Sequence, residues 1–459
     1  MRTLPERQLI ANGPSPLCST CAKPASEMFR EAEIPLLYYS QFISEADQRE
    51  IDDIVEGLDD GVLSGFSWHG VPVGEHARAG ALRYYGSGTL ENEAGGGAIL
   101  RRYLKASMQS VRVMENLLTS QTFDRVVFHH GIYVPQGAVG DVCRKFEVPV
   151  VNWNLAYRER SVLFSHHDTY HRSMIAEPSE SWQTLPFTER DETEIVDYIK
   201  SRRSGSNDWI SFQSERSASQ DPFEGLDIDS QKPVFGLLTN VMWDAQLHFK
   251  ANAFSSMLEW LYETVDYFRM RTDIQLLIRI HPAEVLGSVP SRQKVSDLLT
   301  ARYGSLPETI KIVEPDDPRN TYLLMERCRA VLVYGTKMAI ELPCLGITTI
   351  VAGEAWARNK GFTVDISSKE NYAELLAELP AIPCLTADQI RLARHYAHYL
   401  FFRRMIPLGF AEKRHRLTPV AYNVETLQSL LPGKDAGLDC LCNGIMNLTP
   451  FVMRAGAEK

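Results

Sequence analysis

Arg279 and His281 flank Ile280 at the end of the apolar run QLLIRI, and Pro282 follows at once. Alternate side chains of a strand share a face, so guanidinium and imidazole are expected side by side where proline ends the ladder. A fixed cation beside an imidazole donor suits an anionic group such as a phosphate. A second segment has the same bias. In YGTKMAIELPCLG, Gly335 ends an apolar run and Thr336 stands before a helix-length stretch. Thr336 is expected to cap that helix or to yield its first amides to a phosphate. Glu341, further along, is the candidate for a ribose hydroxyl, the alternative being a buried carboxylate partnered elsewhere. GEAWARNKGF adds Arg358 and Lys360 on a glycine-flanked loop, and Lys360 is expected to close over a diphosphate or carboxylate.

Proton transfer needs a base in a cleft. Glu75 and His130 are the candidates, with His129 beside the latter in the HHG that ends an apolar run. SHHDTYHR, residues 165–172, adds three more histidines and reads as a polar surface loop. No GxGxxG follows a strand and no GxxxxGK[ST] is present. Dinucleotide and P-loop chemistry lose support, and a metal-independent site without a resident cofactor is expected. Phosphate charge would then fall to Arg279, His281, helix amides and Lys360.

The elements that must carry these residues alternate regularly in the C-terminal half. Strands are expected at 233–240, 274–280, 309–314, 329–335 and 348–353. Helix-length segments at 251–271, 291–303, 319–327 and 337–345 separate them, and 387–404 forms a last helical block. Short apolar strands alternating with helices imply a parallel sheet covered on both faces. In the N-terminal half, DRVVFHHG, an amphipathic stretch and VPVVNWN spell a further βαβ unit. The fold class is therefore α/β, with two Rossmann-like halves facing a central cleft. Ligands of such sheets sit outside the carboxyl ends of the strands. That rule selects 239–244, with Asn240 as a binding residue, 281–284, 335–336 and 353–361. Residues 61–97, rich in Gly and aromatics, read as loop. The polar stretch 201–232 reads as a hinge, which divides the chain into 1–225, 226–385 and a C-terminal helical segment, 386–459, expected to cross back to the first part.

Totals bound the remaining possibilities. At 459 residues with a net charge of -10, the chain lacks the basic stripe of a nucleic-acid binder. No apolar run reaches the ~18 residues of a spanning helix, and the charged, proline-broken N-terminus is no secretory signal. A cytoplasmic location, at the inner face of the membrane or against an export complex, is the expectation. The eight cysteines make no disulfide scaffold in a chain this long. Cys143, Cys328, Cys344 and Cys384 are expected to be buried thiols; the CxxC of Cys18/Cys21 and the CxC of Cys440/Cys442 could together offer four thiolates to zinc, but the second pair has the wrong spacing for a zinc knuckle and the metal-free reading is preferred.

The order HHGIYVPQG, VVNWNLAYR, SHHDTYH, LLTNVMWDA, RIHPAE, YGTKMAIELPCLGITTIVAG and NKGFT resembles the capsule polysaccharide biosynthesis family over residues 61–402. The resemblance implies a GT-B glycosyltransferase with the donor in the C-terminal half and the acceptor, a glycan or glycolipid, in the N-terminal half. It also implies that His281-Pro282 acts as the HP motif of bacterial transferases using CMP-linked sialic acid or Kdo, where the His meets the donor phosphate. Gly335-Thr336 is similar to their serine/threonine motif. Here one hydroxyl residue stands, followed by Lys337, so UDP- and GDP-sugars stay open beside a CMP-sugar. A CDP-alditol phosphotransferase and a non-catalytic glycan-binding or export-regulating protein are the competing readings.

Overall fold

The computed structural model describes residues 23, 26–91, 93–205, 207–209, 221–244, 253–287, 289–414 and 420–454. The Cys18/Cys21 pair and residues 210–220 of the expected hinge lie outside these.

In the first half, α1 (Val73–Tyr85) lies against α2 (Gly96–Ser120). The long helix buries Leu100, Leu104, Met108 and Val111, the three-to-four spacing of an amphipathic stripe. The segment 61–97 is thus not all loop. Its glycines and alanines serve close packing within a helix: a Cβ on Gly80 would come within 2.5 Å of the Tyr103 ring, and one on Gly74 within 2.2 Å of the Leu63 carbonyl. Tertiary packing here overrides the low helix propensity of glycine.

A four-stranded sheet follows. β1 (Val126–His129) pairs in parallel with β2 (Val150–Leu155), as the βαβ reading requires. β3 (Ser161–His166) returns antiparallel to β2, because only five residues separate them and a tight connection cannot make a parallel crossover. β3 also absorbs Ser165 and His166 from the segment read as a surface loop. Thr169 then caps α3 (Tyr170–Ala176), and α4 (Glu189–Ser201) opens with a Thr188–Asp191 capping box.

The second sheet is wholly parallel. β4 (Val234–Leu238), β5 (Gln275–Arg279), β6 (Ile310–Val313), β7 (Ala330–Val333), β8 (Thr349–Val351) and β9 (Val364–Asp365) stand in the order β6-β5-β4-β7-β8-β9. The five strands expected from the sequence occur in place, and their near-continuous apolar runs match burial on both faces. The chain adds strands to one side of β4, then crosses back to build the other, so the order reverses between β4 and β7. Short α5 (Met338–Cys344) follows β7.

Residues 387–404 split into α6 (Ala387–His398) and a π-helical turn, Tyr399–Arg404. β10 (Met405–Pro407) then joins the first sheet beside β3. Trp182, Ile199, Leu277, Val331, Ile340 and Tyr396 belong to one buried cluster, so a single core joins both halves. Cys143, Cys328 and Cys344 are buried, whereas Cys384 is exposed, set beside the Arg329 guanidinium at 2.7 Å.

Candidate functional site

A cavity of about 690 Å³ opens between the halves at the carboxyl ends of β4, β5 and β7, the crevice where the strand order reverses. Its second-half wall is zipped together by polar bonds. The Thr239 amide donates to the Arg279 carbonyl at 3.2 Å, and the His281 amide donates to Thr239 Oγ1 at 3.0 Å. Asn240 spans β4 and β7: its Nδ2 donates to the Gly335 carbonyl at 3.1 Å, and its Oδ1 accepts the Gly335 amide at 3.4 Å. Asn240 therefore shapes the crevice with its amide already engaged.

His130, Asn240, Arg279, His281, Gly335 and Thr336 all line this cavity, whereas Glu75, Glu341 and Lys360 do not. The six come from four strand ends, which the alternation of the sequence places on one side of the sheets.

His281 Nδ1 accepts the Ala283 amide at 3.0 Å. A neutral imidazole so held carries its proton on Nε2 and can donate from there. Burial, then repulsion from Lys337 and Arg279, push its pKa down to about 4, so the ring is neutral near pH 7 and shares an electrostatic neighbourhood with Lys337. Thr336 Oγ1 accepts the Met338 amide at 3.3 Å, the local cap expected of it.

Arg279 departs from expectation. Its Nε donates to Thr321 Oγ1 at 3.3 Å, Nη1 to the Glu314 carbonyl and Nη2 to the Asp317 carbonyl at 3.2 Å. The guanidinium shares the cavity wall with His281 but is turned to hold the loop after β6.

Glu341 is likewise structural. It is fully buried and pairs with Arg202 Nε at 3.0 Å, while the Tyr322 hydroxyl donates to it. Arg202 Nη1 meets Asp208 at 2.7 Å, and the Tyr198 hydroxyl donates to the same carboxylate at 2.9 Å. The buried-partner alternative for Glu341 is the one observed. The start of the expected hinge is thus pinned to α5 by an ionic node, with Arg202, Asp208 and Glu341 each at most 4% exposed.

The cationic loop is also engaged. Lys360 Nζ donates to the carbonyls of Glu177, at 2.7 Å, and Ile175, at 3.4 Å, placing a cation on the C-terminal carbonyls of α3. Arg358 donates to the carbonyls of Gly353 and Ile366 within its own loop. Neither side chain reaches into the cavity.

On the first-half wall, His130 has φ of 63°, a left-handed backbone that histidine tolerates better than most residues. Its ring lies 4.9 Å from Tyr133 and 6.1 Å from His171. His171, set aside in the sequence as part of a surface loop, packs 4.1 Å from Tyr170 and 5.8 Å from Trp356, and burial pushes its pKa down to about 4. Glu75 sits on α1 away from the cavity. Its neighbour His76 instead supports the loop after His130, with Nδ1 2.6 Å from the Ile132 carbonyl and Nε2 2.7 Å from Asp141.

Two features of the cavity were not singled out from the sequence. Arg83 lies over the rings of Tyr133 (5.0 Å) and Trp243 (5.3 Å) and pairs with Asp244 at 3.6 Å, so it links the two walls. Lys337, noted only as a departure from a motif, lines the cavity with its ammonium 4.4 Å above the Tyr157 ring. Burial and the Arg202 guanidinium push its pKa down to about 8.

Away from the cavity, ligand atoms of Asp191, Glu194 and His398 lie within 4.8 Å of one another. His398 bridges the two carboxylates at 3.6 and 3.2 Å, and Asp191 already caps Thr188, so mutual pairing accounts for the group.

No protein-family model matches the sequence, and no curated protein matches it. Among solved structures, the chain is similar to KpsC of Thermosulfurimonas dismutans, a β-Kdo 2,4-transferase, at 13% identity and TM-score 0.41, covering 62% of this chain and 82% of that one. A second KpsC structure from that organism, a β-Kdo 2,7-transferase, matches at 13% identity and TM-score 0.37, covering 62% and 78%. A UDP-GlcNAc 2-epimerase from Neisseria meningitidis bound to UDP-GlcNAc matches at 13% identity and TM-score 0.28, covering 64% and 76%.

Proposed function

We propose that this chain is a glycosyltransferase that holds a nucleotide-activated sugar, with a CMP-linked donor favoured, in the cavity between its sheets. The acceptor is a surface glycan or its lipid-linked precursor. The carrying observation is that His281 and Gly335-Thr336 open onto one crevice at the point of strand-order reversal. That is where a doubly wound sheet presents strand ends and loop amides to a phosphate. The order of motifs along the chain supports the same reading.

In this reading, His281 Nε2–H and the Thr336 hydroxyl face the phosphate that leaves. The aromatic wall of Tyr157, Tyr170 and Trp356 receives sugar rings. His130, on the opposite wall, takes the proton of the acceptor hydroxyl. The bond from the anomeric carbon to phosphate oxygen breaks as the bond to acceptor oxygen forms. The residues supply positioning and hydrogen-bond stabilisation of the departing charge. A lipid-linked acceptor would bring the protein to a membrane surface. No described helix is long and apolar enough to cross one.

The test is incubation of purified protein with CMP-, UDP- and GDP-sugars, with and without glycolipid acceptors, followed by product analysis. Release of nucleotide with a new glycosidic linkage is expected. A phosphodiester in the product would favour the alditol phosphotransferase, and no nucleotide release from any donor would overturn the assignment.

A further inference from the structure

The cations around the cavity differ in whether they have partners. Arg202 is claimed by Asp208 and Glu341, Arg279 by the Glu314 and Asp317 carbonyls, and Arg83 by Asp244. Lys337 has no hydrogen bond and no ion pair from its ammonium among the described residues; the Tyr157 ring is its contact. An ammonium drawn out of water without a carboxylate costs free energy. Such a cost persists at sites that a ligand of opposite charge completes.

Lys337 also follows Thr336 directly and repels the charged form of His281. All three line the same cavity, at the ends of β5 and β7. The imidazole donates one hydrogen bond there, the hydroxyl is short and uncharged, and the ammonium supplies the positive charge.

Resting on the nucleotide-sugar reading, we propose that Lys337, rather than Arg279, is the cation that meets the phosphoryl oxygens of the donor. The charged and titratable groups around it are Arg202, Glu341, Asp208, His281 and Tyr157. The two carboxylates and Arg202 neutralise one another in the buried node, which leaves Lys337 for the ligand. Because its ammonium loses its proton near pH 8, phosphate binding should weaken above that pH in the native chain. Phosphate itself is already fully ionised there.

The experiment is calorimetric titration of the full chain, Lys337→Met and Lys337→Arg with CMP, CDP, UDP, GDP and cytidine, from pH 7 to 9.5. The native chain should bind the nucleotides, less tightly as pH rises. Lys337→Met should lose about ten-fold to one-hundred-fold affinity for the nucleotides, keep its affinity for cytidine, and lose the pH dependence. Lys337→Arg should restore affinity and hold it at high pH. Equal losses for nucleotide and nucleoside, or no loss, would overturn the proposal. Failure of the native chain to bind any of CMP, CDP, UDP or GDP would instead strike the nucleotide-sugar reading on which it rests.

Discussion

Two cations on the cavity wall, Arg202 and Lys337, use charge in opposite ways. Arg202 sits between Glu341 and Asp208, and two tyrosine hydroxyls complete the carboxylates. Lys337, on the same cavity wall, stands against an aromatic ring with no carboxylate paired to it among the described residues. Both cations are drawn from water, but only the first recovers its desolvation within the fold. The difference separates residues that hold the two halves together from residues whose complement is a ligand. Residue type alone does not make that separation, since Glu341, Arg279 and Lys360 all carry the chemistry expected of a binding site.

Substitutions can break the contrast, beginning at the ionic node. Glu341→Gln should cost about 3 kcal/mol or more, because it leaves a buried guanidinium short of one counter-charge. Urea unfolding monitored by circular dichroism checks this, and a loss near zero would mean that the node contributes little. Arg279→Ala should cost about 2–3 kcal/mol through the released Glu314 and Asp317 carbonyls. Its effect on nucleotide affinity should be smaller than that of Lys337→Met, and the reverse ranking would return Arg279 to the phosphate.

Lys337→Met should move stability the other way. Below about pH 8 the lysine is charged both folded and unfolded and bears its full desolvation cost. Between about pH 8 and its unfolded pKa near 10.4, the unfolded chain binds the extra proton, so native stability rises with pH. The ligand-free variant should therefore exceed the native chain by roughly 3 kcal/mol at pH 7, with the gain vanishing toward pH 10.5. Stability curves at four pH values test the sign. Lys360→Met should show the smallest effect, about 1 kcal/mol from the two carbonyls at the end of α3, with nucleotide affinity unchanged in the same titrations.

Much of this layout is written in local pattern. The runs around Leu237, Leu277 and Leu332 are apolar and bounded by turn residues, and they form the expected parallel strands at the expected places. The strand-end rule then gathered His281, Asn240 and Thr336 without any contact being known. Partnership was not legible, because it is decided between segments remote in sequence. Glu341 looks like a ribose ligand until Arg202 arrives from α4, and Lys337 gains significance only once Arg202 has taken both nearby carboxylates. The glycines of α1 misled for a related reason. Gly74 and Gly80 signal close approach, and whether a loop or a helix makes it depends on the surface opposite, here Tyr103 and the Leu63 carbonyl. His171 was hidden similarly, since a polar stretch enters the aromatic wall only after β3 folds back on β2.

The central claim is that the crevice between β4 and β7 is a phosphate site completed by a ligand. The most direct measurement is a crystal structure of the full chain soaked with CDP. The account predicts phosphate density bounded by His281 Nε2, the Thr336 hydroxyl and Lys337 Nζ, with Arg202 and Arg279 still on their protein partners. Phosphate seated on either arginine, or outside this crevice, would contradict it.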